Sequence, residues 1–148
     1  MMDIDPHALL VAASVWVVPI LLALTLHEAA HGWVASKLGD NTAKLMGRVT
    51  FNPFKHIDLL GTIIVPAALL LMSGGQYMFG FAKPVPVNFH NLHHPRRDMI
   101  LVAGAGPAIN IVIAVIAALL LHLGTYVPGP YQAWVVSNLF NSLWINVV

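Results

Sequence analysis

Residues 17–31 read Val17-Val18-Pro19-Ile20-Leu21-Leu22-Ala23-Leu24-Thr25-Leu26-His27-Glu28-Ala29-Ala30-His31. An apolar run that begins near Ala8 ends here in two histidines and the only glutamate of the chain. The run from Ala8 to Leu26 is long enough to cross a bilayer, which takes about 20 residues, and its apolar character continues to about Leu38. On a helix, residues i and i+4 share one face, about 6 Å apart along the axis. His27 and His31 can therefore converge on one metal ion. Glu28 projects close to the same point without ligating, where it can take a proton from water.

The spacing His-Glu-x-x-His on a helix is that of a zinc site with an adjacent general base. With a single glutamate in 148 residues, a chance match has odds of roughly a few in a thousand. Position adds weight. Burying a glutamate and two histidines at the end of an apolar helix is costly unless they are partnered or functional. A helix end that has merely reached the membrane surface is the plainer alternative. Zinc lowers the pKa of a water it binds to about 7, which suits hydrolysis at neutral pH. There is no cysteine, so thiolate zinc sites and disulfides are excluded.

Composition fits this setting. The chain is 58% hydrophobic and 9% charged, against about 25% charged residues in soluble domains, and its mean hydropathy is +0.78. Too few charges are present to cover a surface in water, so a lipid bilayer is the expected solvent. A net charge of +1 and the lack of a basic face with interleaved aromatics give no support to nucleic acid as a partner. The length of 148 residues fits one domain, residues 1–148. The acidic start, Met1-Met2-Asp3-Ile4-Asp5-Pro6, argues against a cleaved signal.

Three further apolar stretches follow: Leu59 to Ser73, Met99 to Leu123, and one from near Tyr131 to Val148. The expected fold is therefore an all-α polytopic membrane protein. It has three transmembrane helices plus a short segment, 59–73, that is re-entrant or a short span. All seven Lys and Arg residues lie between Lys37 and Arg97, on both sides of that segment. Positive charge marks the cytoplasmic side, and both connections can be cytoplasmic only if the segment dips in and returns. Gly61, Pro66 and Gly74-Gly75 suit that role; a short span with one basic loop outside is the alternative. The acidic N-terminus is then outside, Trp33 sits near the cytoplasmic interface, and Tyr126, Tyr131 and Trp134 near the opposite one. Alternation in Gly47-Arg48-Val49-Thr50-Phe51-Asn52-Pro53 predicts a small β-hairpin-like arm after the first helix. Lys83-Pro84-Val85-Pro86-Val87-Asn88 is expected to be extended.

The motif text resembles the site-2 protease family of intramembrane zinc metalloproteases, in its compact prokaryotic branch without a PDZ domain. The resemblance is carried by His27-Glu28-Ala29-Ala30-His31-Gly32-Trp33, Leu38-Gly39-Asp40, Gly47 to Pro53, His56-Ile57-Asp58, Ala82 to Asn88, Pro95-Arg96-Arg97, and Gly106-Pro107-Ala108-Ile109-Asn110. It covers about residues 20 to 115 in motif detail. It implies zinc held by His27 and His31, Glu28 as general base, a transmembrane protein as substrate, and a multi-pass place in the prokaryotic cytoplasmic membrane. It also implies a third ligand, an Asp in a Leu-Asp-Gly motif that these residues do not contain. The expectation is a chain cut short before that ligand, which on its own is inactive.

The Gly106–Asn110 stretch supports two readings. Small residues let helices approach closely, and Asn110 in an apolar helix must find a partner. The resemblance implies instead that Asn110 faces the site and holds substrate or stabilises an oxyanion. Asp58, His56, His90, His93, His94 and Asp98 are the residues that could replace the absent ligand. The stretch His90-Asn91-Leu92-His93-His94, stopped by Pro95, reads more simply as an interfacial loop, and His122 as a snorkelling helix-end residue. Two other functions stand beside the protease: a metal-ion transporter, which also needs intramembrane His and acidic groups, and a catalytically inactive relative that only binds membrane proteins. Neither requires a Glu directly after the first His.

Overall fold

A computed structural model describes residues 5–148. Asp5 caps the first helix by accepting the His7 N–H at 3.0 Å, with Pro6 at the first helical position, where its missing donor costs nothing. This helix, α1 (Pro6–Lys37), is 32 residues long. It ends at Gly39, whose φ of +112° lets the Asp40 N–H turn back to Ala35 O at 2.9 Å. That closing bond is what a glycine-terminated helix end supplies. The short helix α2 (Thr42–Leu45) follows, then a single 3-10 turn at Pro53–Lys55.

The arm expected to be hairpin-like between Gly47 and Pro53 is not a strand, and no strand occurs among the described residues. Its backbone is satisfied locally instead. Arg48 N–H bonds to Ala43 O, Asn52 N–H to the Thr50 hydroxyl, and Thr50 O accepts from His56 Nε2 at 3.1 Å. Local side-chain bonds of this kind compete with a sheet ladder.

Residues 59–72 form a short helix wound as a π-helix over Leu59–Ile64 and as α3 over Val65–Met72. Asp58 and Thr62 cap it reciprocally: Asp58 accepts from Gly61 N–H at 2.8 Å and Thr62 Oγ1 accepts from Asp58 N–H at 3.0 Å. The chain reverses at Gly74 and Gly75, both with positive φ, beside Ala12 near the start of α1. It then descends without regular structure until Phe81 N–H meets Gly61 O at 2.9 Å and Phe81 O accepts from the Thr62 hydroxyl at 2.9 Å. The excursion therefore leaves and returns at one level. Leu70 and Met78, from its two arms, pack with Trp16 and Ile20 of α1.

Helix α4 (Pro95–Gly124) has 30 residues. It starts beside the end of α1, where His93 N–H bonds to Leu38 O at 2.9 Å, so it runs antiparallel to α1. Its buried side follows an i, i+4 stripe through Asp98, Val102 and Gly106. Helix α5 (Gln132–Val147) packs on both. It is fixed to α1 by Asn141 Nδ2 donating to Val15 O at 3.0 Å and by an edge-to-face pair of Trp144 with Trp16.

Among the described residues two helices, α1 and α4, are long and apolar enough to span a membrane, where three spans were expected. Helix α5 has 16 residues, and Ser137, Asn138, Asn141, Ser142 and Asn146 interrupt its apolar character. Large apolar side chains such as Leu22, Ile63, Ile111 and Leu119 point outward, an arrangement suited to lipid contact.

Candidate active site

His27, Glu28 and His31 sit where α1 crosses α4, and their ligating atoms lie within 4.8 Å of one another. The two imidazoles face each other edge-on, with ring centroids 4.7 Å apart. His31 Nδ1 stands 2.7 Å from Val102 O. A carbonyl oxygen only accepts, so the proton is on Nδ1 and the Nε2 lone pair is left for a metal. Orientation of a histidine ligand through its other nitrogen is the usual arrangement in zinc sites.

The space for an ion is made by an absent side chain. A Cβ placed on Gly106 would meet Nε2 of both His27 and His31, the latter at 2.5 Å. Both nitrogens thus converge on the bare backbone of α4. Two imidazole nitrogens and a cradle that any side chain would fill, with a carboxylate alongside, are suited to zinc. Among the described residues, the cluster contains no further His, Asp or Glu.

Glu28 is not free to swing. Its Oε2 accepts the Val85 N–H at 2.8 Å, from the extended stretch Lys83–Asn88. Val85 lies between two prolines, which have no N–H, so it is the one donor at that point of the chain. A cavity of about 320 Å³ opens beside the site, lined by His27, Glu28, Phe79, Phe81, Asn110 and Ile145 among others. Asn110 Oδ1 is buried there close to the His27 ring, short of good hydrogen-bond geometry. A larger cavity, about 580 Å³, lies on another flank of α1, between Ala30 and Trp33 on one side and Val49, Thr50 and Phe51 on the other.

A profile of peptidase family M50 matches residues 15–144. This chain belongs to peptidase family M50, the site-2 protease family. Members of M50 are membrane-embedded, in keeping with α1 and α4. The "Putative zinc metalloprotease YwhC" of Bacillus subtilis (strain 168) is 45% identical over 107 residues, 72% of this chain and 45% of that protein. The "Putative zinc metalloprotease Rip2" of Mycolicibacterium smegmatis (strain ATCC 700084 / mc(2)155) is 30% identical over 96 residues, 65% of this chain and 35% of that protein. The chain spans less than half the length of these relatives. No solved structure matches it.

Among the described residues, none of the other candidate ligands, Asp58, His56, His90, His93, His94 and Asp98, joins this cluster. Asp58 caps the helix at Leu59. Asp98 is buried and accepts the His94 N–H at 2.8 Å. His56 is buried against Thr50, and His93 lies against Gly39 at the end of α1. His122 stacks edge-on near Tyr126. Sequence reasoning placed Gly106 in a packing motif and did not identify it as the floor of the site. Its i, i+4 offset from Val102 and Asn110 was the available signal. Nothing in the sequence ties Val102 O to His31 or the Val85 N–H to Glu28, because both are main-chain groups.

Proposed function

We propose that this chain is the core of an intramembrane zinc metalloprotease that hydrolyses peptide bonds in or near transmembrane segments of other membrane proteins. The observation that carries the reading is the convergence of His27 and His31 on Gly106, with Glu28 alongside, between two helices long enough to cross a bilayer. Bound by the histidine pair, zinc supplies a Lewis acid that acidifies water and polarises a carbonyl.

Glu28 takes the proton of the attacking water and returns it to the leaving amine. The Val85 N–H holds Oε2, which leaves Oε1 to face the water. Asn110, in the cavity wall, binds the substrate backbone or steadies developing charge on its carbonyl by donating from Nδ2. An extended, locally unwound substrate lies along Arg48–Asn52, beside the cavity there.

In the membrane, the ends of α1 and α4 that meet at Leu38 and His93 face the cytoplasm, and residues 59–81 are re-entrant. The basic residues on both sides of the excursion support this topology, as does its return to Gly61. The setting is a multi-pass protein of the cytoplasmic membrane.

The test is Glu28→Gln in the full-length protein, reconstituted with single-span membrane substrates. Cleavage is expected to disappear while zinc content stays at the wild-type level. Cleavage at the wild-type rate would remove Glu28 from the chemistry; a transporter would tolerate or merely retune the change.

A further inference from the structure

We infer that Asp40, about three helical turns away from Glu28 in sequence, is a positioning residue that sets where the Val85 N–H meets the Glu28 carboxylate. The inference rests on the proposed role of Glu28 as general base. The stretch Lys83–Asn88 belongs to no helix or strand, so its place must come from its attachments. Three are present. Lys83 N–H bonds to His56 O at 2.9 Å, Val85 N–H to Glu28 Oε2 at 2.8 Å, and Asn88 N–H to Asp40 Oδ2 at 2.7 Å. The outer two go to His56 and Asp40, the two largest fully buried side chains among the described residues.

Asp40 is itself immobilised. The glycine-terminated end of α1 fixes its backbone through Ala35 O. Its Oδ1 accepts from the Thr42 N–H at 3.0 Å, from the Thr42 hydroxyl, and from Asn91 Nδ2 at 3.1 Å. Oδ2 is left for Asn88 alone. A buried carboxylate with all its donors supplied is a rigid point.

The link from Asn88 to Val85 is stiff as well. Val85, before a proline, is confined to extended conformations, Pro86 has fixed φ, and Val87, the one residue between Pro86 and Asn88, is packed against the Ala35, Leu92 and Val102 cluster. A shift at Asn88 is therefore passed toward Val85 with little freedom to absorb it. Misplacement of a catalytic group by about 1 Å can cost about a hundredfold in rate. The carboxylate at the end of α1 thus aligns a base on the same helix by way of a separate segment.

The test is a double-mutant cycle in the full-length, zinc-loaded protein in nanodiscs. Asp40→Asn keeps the shape but leaves one acceptor oxygen, so the Asn88 and Thr42 bonds cannot both persist. Val85→Pro removes the donor to Glu28 in a backbone region proline can adopt. Each is expected to lower kcat roughly 10- to 100-fold, with KM and zinc content near wild type. Sites this far apart are ordinarily additive. Here the double variant should fall no more than about threefold below the weaker single variant, because both changes break one chain of contacts.

Amide spectra of 15N-valine protein give a readout independent of activity. Asp40→Asn should shift the Val85 resonance as its hydrogen bond lengthens. Multiplied kcat losses, or an unmoved Val85 resonance, would overturn the inference while leaving the role of Glu28 to its own test. Pro86→Gly loosens only the link and should also lower kcat. Wild-type kcat in Pro86→Gly overturns the inference even where Asp40→Asn cannot be purified.

Discussion

His31 gives its Nδ1 proton to the main-chain oxygen of Val102, 2.7 Å away across the α1–α4 interface. The acceptor is backbone, so substituting Val102 does not remove it, and helix packing alone determines its place. The expected consequence is one tautomer of His31, with Nε2 ligating. In 15N-histidine spectra of the zinc-loaded protein, His31 should show a protonated Nδ1 and a metal-shifted Nε2. The reverse pattern would break the arrangement described.

Gly106→Ala should cost the protein its metal. The added Cβ falls on Nε2 of both histidines, at the place an ion would occupy. Alanine is the better helix former by about 1 kcal/mol, so α4 itself should be preserved. Zinc affinity, measured by competition with a chelator, is expected to fall at least about tenfold, the effect of about 1.4 kcal/mol of lost binding. Unchanged helical circular dichroism would locate the loss at the site.

Gly61→Ala should loosen the excursion between residues 59 and 81. A Cβ there overlaps the Phe81 ring, at the point where the returning arm is fastened to the departing one. Overpacking of this kind costs about 1–3 kcal/mol. Faster proteolysis near Gly74–Gln76 and a lower Tm are expected. Phe81→Leu in the same chain should recover part of the loss.

Asp40 gives a pH dependence of definite sign. Burial pushes its carboxyl up, but hydrogen bonds from the Thr42 hydroxyl, the Asn88 and Thr42 main chain and the Asn91 amide outweigh that, and its pKa lies below the ordinary 3.8. A depressed pKa gives stability that is fully present above the unfolded value and is lost as pH falls through the folded one. The anchoring of residues 83–91 should therefore hold at pH 4 and weaken only in stronger acid. Hydrogen exchange of those amides against pH checks this, and Asp40→Asn should abolish the transition.

Much of this arrangement was legible in the sequence because it is local. The i, i+4 histidines, the apolar lengths of α1 and α4, and the glycines and prolines of 59–75 each imply their structure within a few residues. The stretch 47–53 misled, since alternation describes a strand only when another strand is there to pair with it. Thr50 instead gives its carbonyl to His56. Gly106 and Asp40 were visible as residues but not as parts of a site. Their meaning depends on contacts across 48 to 79 positions of chain, made largely by backbone atoms that every sequence has. Asn110 stands between: its polarity in an apolar helix marked it, and the structure sets it in the cavity wall beside His27.

The Pro-Val-Pro stretch lies extended against the base of a site that, in the proposed reaction, cuts extended peptides. A hydrolase that keeps its own chain there must avoid digesting itself. The restraint is conformational. The Val85 N–H is held by Glu28 Oε2 and the flanking prolines fix the backbone on both sides, so the segment stays in one pose and is not free to move toward His27 and His31 as a substrate must.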